Sequence, residues 1–380
     1  MRLPVELLHE VVDHLDQDYS SLAACSAANS FLYSRAIFHT FADITLQQGN
    51  SQSLVKLLAQ SPHLAKCTRT LRLVGTMGEV DASLPWIIRC MENVQILHVH
   101  SMFLGRLLAT KNRALFQALL SLPVQQLHIH SAYVASCADL LDTIASIPTL
   151  RTLYLGTLLT LPSMAIPASP MVEPVHLPTM KLQELCVDME KSGPIVHELL
   201  SSSWNADAIR TLKLYGCTTY DVLTVNGLLA RVRVDKLILE RSHLCTSFQR
   251  TFWMGDGAAG PALDVARVSA LEITLSDFST QLQWWVDALR CVRNGYDGDE
   301  AILKDVRIRI EMEMHGAKYR AWFQPSRWRA LLDLLSRMGS LRRLTVEVDQ
   351  SLASAFSDMI WAECPMEMRS VLRVEESCTK

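Results

Sequence analysis

Two pairs of histidines have a spacing that could do chemistry. His98 and His100 lie in the run Leu-His-Val-His-Ser, and His128 and His130 lie in Leu-His-Ile-His-Ser. In an extended strand alternate side chains share a face, so each pair presents two imidazoles together, while Leu97 and Val99, or Leu127 and Ile129, point the other way. Parallel neighbours stand about 4.8 Å apart, so four imidazoles would gather on one surface. Imidazole nitrogens bind zinc, yet structural zinc sites usually contain Cys and no acidic residue is obvious nearby. The expectation is therefore a solvated or partner-contacting histidine ladder, with no metal and no cofactor. Protonation near pH 6 would change the charge of such a face.

Three other features invite a functional reading. Gly255-Asp256-Gly257-Ala258-Ala259-Gly260 is a literal G-x-G-x-x-G, which in dinucleotide folds ends a strand and opens a helix against a pyrophosphate. Here Pro261-Ala262 follows, and only residues 263–268 remain before the next apolar segment at Leu271, too few for a crossover helix. The run reads as a loop. Between 304 and 343 ten basic residues outnumber four acidic ones, with Trp322 and Trp328 among them. Arginine clusters suit phosphate and carboxylate, but long stems lying on a surface with their charges in water are the expected arrangement. Residues 297–300, Asp-Gly-Asp-Glu, are too short for a calcium loop and read as a turn. No G-x-S-x-G, H-E-x-x-H or Walker run is found, so no catalytic residue is assigned and the chain is not expected to be an enzyme. An enzyme built on the glycines or the histidines would have to carry stoichiometric cofactor or metal when pure.

The elements that position these residues follow from composition and period. The chain has 380 residues, 49% hydrophobic and 20% charged, enough apolar material for a large core and unlike a disordered chain. Its charge of −3, from 36 basic and 39 acidic residues, lacks the basic excess of a general nucleic-acid binder. The ten cysteines form no CxxC and sit in apolar runs, such as Cys90 in Ile-Ile-Arg-Cys-Met, where a free thiol packs as a small hydrophobe. They point to a reducing, intracellular compartment, cytoplasmic or nuclear. The acidic, amphipathic start is unlike a secretory leader, and no apolar run reaches the roughly 18 residues of a membrane span. Neither nucleic acid nor membrane is expected as a partner.

A pattern of apolar-x-x-Leu-x-apolar recurs along the chain. Its central residues are Leu97, Leu127, Leu153, Leu185, Leu212, Leu237, Leu271 and Leu344, with less complete copies at Leu71 and Ile308, and perhaps at Ile44 and Leu372. The segments between them read as short helices, for example 84–91, 114–120, 138–147, 281–292 and 328–338. Strand then helix, repeated, predicts parallel strands side by side with helices outside. Successive anchors are 25 to 37 residues apart, against roughly 20–29 for a leucine-rich repeat. The chain thus resembles an irregular leucine-rich repeat, although the family's Asn/Cys step is complete only at Ile209, Leu212, Leu214 and Cys217. Five prolines interrupt 161–178, where a loop excursion is expected. Residues 306–314 alternate strictly, and 319–323 could return as an antiparallel strand after His315-Gly316.

The first 45 residues differ. After Pro4, Leu8, Val11, Val12 and Leu15 make one apolar stripe, and Leu7, Val11 and Leu15 flank it at i, i+4, i+8. Asp16, Asp18 and Ser20 supply turn and capping chemistry, a second helix spans about 21–28, and Asn29-Ser30 breaks it before a third over about 31–39. The runs LPVELLHEVVDHL and SLAACSAANSFLYSRAIFHTF resemble the F-box motif, particularly its fungal type. Where that family commonly has Ser-Arg-x-Trp, this chain has Asn29-Ser30-Phe31-Leu32. The resemblances together imply an α/β protein. Residues 1–45 form a three-helix F-box module. An irregular leucine-rich-repeat solenoid follows over 46–350, with parallel strands on the concave face and helices outside, and 351–380 cap it. They further imply a substrate-recognition subunit of an SCF-type E3 ubiquitin ligase. Leu3, Pro4, Leu7, Leu8, Val11, Leu15, Leu22 and Phe31 would meet a Skp-type adaptor, and through it a cullin ligase. The outward strand residues His98, His128, Tyr154, Lys213, Tyr215 and Glu240 would meet an unknown protein substrate. The alternative is an interaction scaffold whose F-box no longer engages a ligase.

Overall fold

A computed structural model describes residues 4–16, 18–47, 49–75, 81–160, 181–191, 193–201, 207–242, 244, 262–275, 278–295, 302–311, 324–349 and 353–377. Leu3, the proline-rich segment 161–178, the glycine run 255–260, the tetrad 297–300 and the expected return strand 319–323 lie outside the described residues. The chain forms two compact units, Met1–Lys181 and Leu182–Lys380. The boundary between them falls in the sequence just past the proline-rich segment.

The first unit opens with three helices, α1 (Val5–Asp13), α2 (Tyr19–Ala28) and α3 (Ser30–Ala42). Their boundaries follow from capping. The Asp18 carboxylate accepts from the Ser20 and Ser21 amides at 3.1 Å each, satisfying donors the first turn leaves free. Asn29 has an extended backbone that ends α2, and its side chain accepts from the Phe31 amide at 2.9 Å to start α3. The core of the module is small: Val12, Leu22 and Ala36 are fully buried, with Leu15, Cys25 and Leu32 packed around them. An ion pair joins α1 to α3. Arg35 donates to both oxygens of Asp13, at 2.5 and 2.6 Å, and His39 Nε2 lies 2.7 Å from Oδ1. These bonds hold the last turns of α3, which runs three residues past the expected end and passes directly into the first strand.

Six strands follow in this unit: β1 (Asp43–Gln47), β2 (Thr70–Val74), β3 (Ile96–His100), β4 (Met102–Phe103), β5 (Gln126–Val134) and β6 (Thr152–Thr160). Every pairing is parallel and in chain order, β1-β2-β3-β5-β6, with β4 pairing β5 beyond the end of β3. Parallel neighbours need crossovers. Helices α4 (Ser51–Gln60), α5 (Leu84–Cys90), α6 (Arg106–Lys111), α7 (Arg113–Leu120) and α8 (Cys137–Ala145) supply them. The register places Leu71, Leu97, Leu127 and Leu153 in one row and Leu73, Val99, Ile129 and Leu155 in the next, all buried. Leu58, Ile87, Ile88, Leu115, Leu140 and Ile144 of the crossover helices are likewise buried.

The second unit repeats the scheme. Its strands are β7 (Glu184–Asp188), β8 (Thr211–Tyr215), β9 (Lys236–Glu240), β10 (Ala270–Leu275), β11 (Asp305–Ile310), β12 (Arg343–Asp349) and β13 (Leu372–Ser377). They too pair in parallel and in chain order. The helices are α9 (Gly193–Ser201), α10 (Val222–Arg231), α11 (Phe278–Gly295), α12 (Pro325–Ser336) and α13 (Ala353–Glu363). Trp285 of α11 and Trp328 of α12 are the largest fully buried side chains. One anchor is corrected: Leu271 pairs with Val306, and Ile308 pairs with Ile273. The misplacement is two residues, one full strand period, so the buried face was right although the row was wrong. The expected C-terminal cap contains a further helix and strand of the same kind, with Leu344 paired to Leu372. No helix among the described residues is long and apolar enough to cross a membrane.

Candidate functional site

On the outward face of the first unit, the parallel register builds one row from Thr45, Arg72, His98, His128 and Tyr154. His98, His128 and Tyr154 are the three residues chosen there from sequence, and they are adjacent. The His98 and His128 rings stack at 4.5 Å between centroids, close to the strand spacing, and His128 and Tyr154 lie 5.9 Å apart. Two residues further along, His100 and His130 stack at 4.1 Å and 8°. The two rows meet at His98 Nδ1 and His130 Nε2, which are 2.9 Å apart, so one ring donates its N–H to the other's lone pair. His98, His100 and His130 each offer a nitrogen within 4.8 Å of the others.

The backbone holds this arrangement. Gly156 of β6 lies so close to β5 that a Cβ there would stand 2.6 Å from the His130 carbonyl oxygen. Ser101, just past His100, has a positive φ of 53°, and its amide donates to Ser131 Oγ at 2.7 Å. Burial disfavours the charged form of His98, His100 and His130. Burial first, then the charges of His128 and Arg72, pushes the His98 pKa down to about 4. Burial and then His100 and His128 do the same to His130, again to about 4, and burial with Arg72 lowers His100. Arg72 is itself engaged. Its Nε lies 3.0 Å from both Asp43 oxygens, and Nη2 donates to Oδ2 at 2.7 Å.

The second unit carries a ladder of charges on the same kind of face. Lys213 donates to Glu240 at 2.7 Å and lies 4.8 Å from the Tyr215 ring centroid, so these three sequence-chosen residues form one cluster. Burial works against the Lys213 ammonium, but its bonds to Glu240 and Tyr215 outweigh that and raise its pKa. Neighbouring Cys186 is pushed up to about 12 by burial and by Glu184, which keeps its thiol protonated and inert. Further along, Glu272 pairs with Lys236 at 2.9 Å and Arg307 at 3.6 Å, and Glu347 pairs with Arg307 at 3.3 Å and Arg309 at 2.9 Å. Much of the basic run of 304–343 is spent in this way: Arg329 meets Glu363, Arg337 meets Asp333, and Arg343 stands 4.0 Å from Asp305.

The three-helix module separates roles that the sequence left mixed. Leu22, named in the adaptor-binding set, is fully buried and belongs to the module's core. Leu15 packs beside that core and Leu8 is half-buried. Pro4, Leu7, Val11 and Phe31 are exposed, Val11 at 57% and Phe31 at 62%, and Val5, Tyr19 and Tyr33 join them. Leu7 and Val11, one turn apart, share a face of α1.

Sequence reasoning grouped the four histidines but kept only His98 and His128 among the site residues, and it missed Arg72, Asp43, Glu272 and Glu347. Alternation within each strand was the available signal; which residues then meet across strands depends on register. Comparison with models of known protein families finds none that matches the chain, and a search of curated proteins finds no match either.

Proposed function

We propose that the chain is a non-catalytic recognition subunit of an SCF-type ubiquitin ligase. In this reading α1–α3 dock a Skp-type adaptor, and through it a cullin, while the outward faces of the parallel strands hold a protein substrate. The protein itself makes no bond; it raises the effective concentration of substrate near the charged conjugating enzyme. The observation that supports this most is the division of labour in the helical module. Val12, Leu22 and Ala36 form its buried core, with Leu15, Cys25 and Leu32 around them, yet Leu7, Val11 and Phe31 remain exposed on α1 and α3. Contiguous exposed apolar surface marks sites that meet a partner, and Leu7 and Val11 share one face of α1. Phe31 stands where the F-box pattern departs from the family, and its exposure leaves the ring available in place of the missing Trp.

The test is co-purification of the full-length chain with a Skp-type adaptor, wild type beside Val11→Lys and Phe31→Lys. Both positions are exposed, so the variants spare the fold. Stoichiometric adaptor with wild type, and at least tenfold less with each variant, is expected. A folded wild-type protein that captures no adaptor would overturn the ligase reading and leave an interaction scaffold.

A further inference from the structure

The outward face of the first unit holds three imidazoles whose capacity to bind a metal the reading above does not use. We propose that His98, His100 and His130 form a binding site for one divalent ion of the zinc class, with one coordination position left open. The proposal does not depend on the adaptor reading, because it rests only on β3, β5 and their neighbours.

Geometry carries it. The three candidate ligand atoms lie within 4.8 Å of one another. Around a tetrahedral zinc with bonds of about 2.0–2.1 Å, ligand nitrogens stand about 3.3 Å apart. His98 Nδ1 and His130 Nε2 already face each other at 2.9 Å, so an ion between them requires only that the pair open slightly. A tautomeric shift moves the bridging proton to the far nitrogen of its ring and frees both lone pairs, with no proton lost overall. His100, stacked on His130, needs a rotation about χ2, a torsion that is soft for an imidazole. The backbone under the ligands is held by the Gly156 approach and the Ser101–Ser131 bond, so the site is built on fixed strands rather than on a loop.

The chemistry selects the ion. Three imidazoles and no carboxylate suit zinc, copper or nickel and disfavour magnesium and calcium, which take oxygen ligands. The nearest cation, Arg72, is compensated by the double contact of its guanidinium with Asp43. Three protein ligands rather than four leave room for water or for a donor from a bound partner, as in zinc sites that interact with ligands. The one carboxylate close by, that of Asp43, is engaged by Arg72, so the donor set is nitrogen alone.

The full-length protein, stripped with chelator, would be titrated with Zn2+ by calorimetry and then with Co2+ in the visible range. One equivalent of Zn2+ is expected. The Co2+ complex should show the d–d bands of a nitrogen-ligated tetrahedral ion without a thiolate charge-transfer band, which separates the histidines from the cysteines. His100→Ala and His130→Gln should each weaken binding by at least about a hundredfold, and His63→Ala, an exposed histidine away from the cluster, should not. No stoichiometric binding by wild type, a thiolate band, or undiminished binding by the folded His130→Gln protein would overturn the proposal.

Discussion

Leu22→Ala and Val11→Lys should separate the stability of the helical module from its binding. Leu22 is completely buried, one of three fully buried residues in the module core. The change removes three carbons, at about 0.8 kcal/mol for each buried methylene-sized group. The cavity left behind adds to this, and Leu→Ala changes in cores span about 2–5 kcal/mol. A loss of about 3 kcal/mol is expected, more than a hundredfold in the opening equilibrium of α1–α3. Val11 is 57% exposed, where a substitution shifts stability by about 0.5 kcal/mol or less. Lysine there also has the better helix propensity and lies near the helix C-terminus, whose dipole favours a cation. Amide hydrogen exchange over residues 5–42, read by mass spectrometry, measures both. Protection should fall by about two orders of magnitude in Leu22→Ala and stay within about threefold of wild type in Val11→Lys. Unchanged protection in Leu22→Ala, or an equal loss in Val11→Lys, would refute the division into core and face.

Acid should loosen the same module. Hydrogen bonds from Arg35 and His39 hold the Asp13 carboxyl far below its ordinary value of 3.8. A depressed carboxyl contributes stability that is complete above the ordinary value and is lost as pH falls through the folded one. Hydrogen-exchange protection of α1 and α3 should therefore decline below about pH 4, with a shallower decline in Asp13→Asn, which lacks this titrating group. Gly156→Ala would place a Cβ 2.6 Å from the His130 carbonyl; separating β5 from β6 should destabilise the protein by about 1–3 kcal/mol in urea titrations, and an unchanged midpoint would show that the strands are not so close. Glu347→Gln removes the carboxylate that Arg307 and Arg309 share. Because both guanidiniums are partly exposed, the loss should be only about 1 kcal/mol and should shrink at high salt. A salt-independent loss would mean that packing, not charge, is responsible.

The apolar-x-x-Leu-x-apolar pattern revealed the strands and their parallel order, because a strand buried on one face must repeat its apolar residues at period two wherever it lies in the chain. It places Leu97, Leu127 and Leu153 in one row, as the register does. Capping residues marked α2 and α3 for the same local reason: Asp18 and Asn29 act within a few residues of themselves. What the pattern could not decide was register. The spacing between anchors varies, so nothing local says whether Ile308 or Val306 faces Leu271, and nothing says that His98 Nδ1 will meet His130 Nε2. That contact joins residues 32 positions apart, and it exists only because the crossover helices return each strand at a fixed offset. Burial is the other quantity decided in three dimensions. Leu22 and Val11 are both apolar helical residues in the sequence, and only the packing of α2 against α3 makes one the core and leaves the other in water.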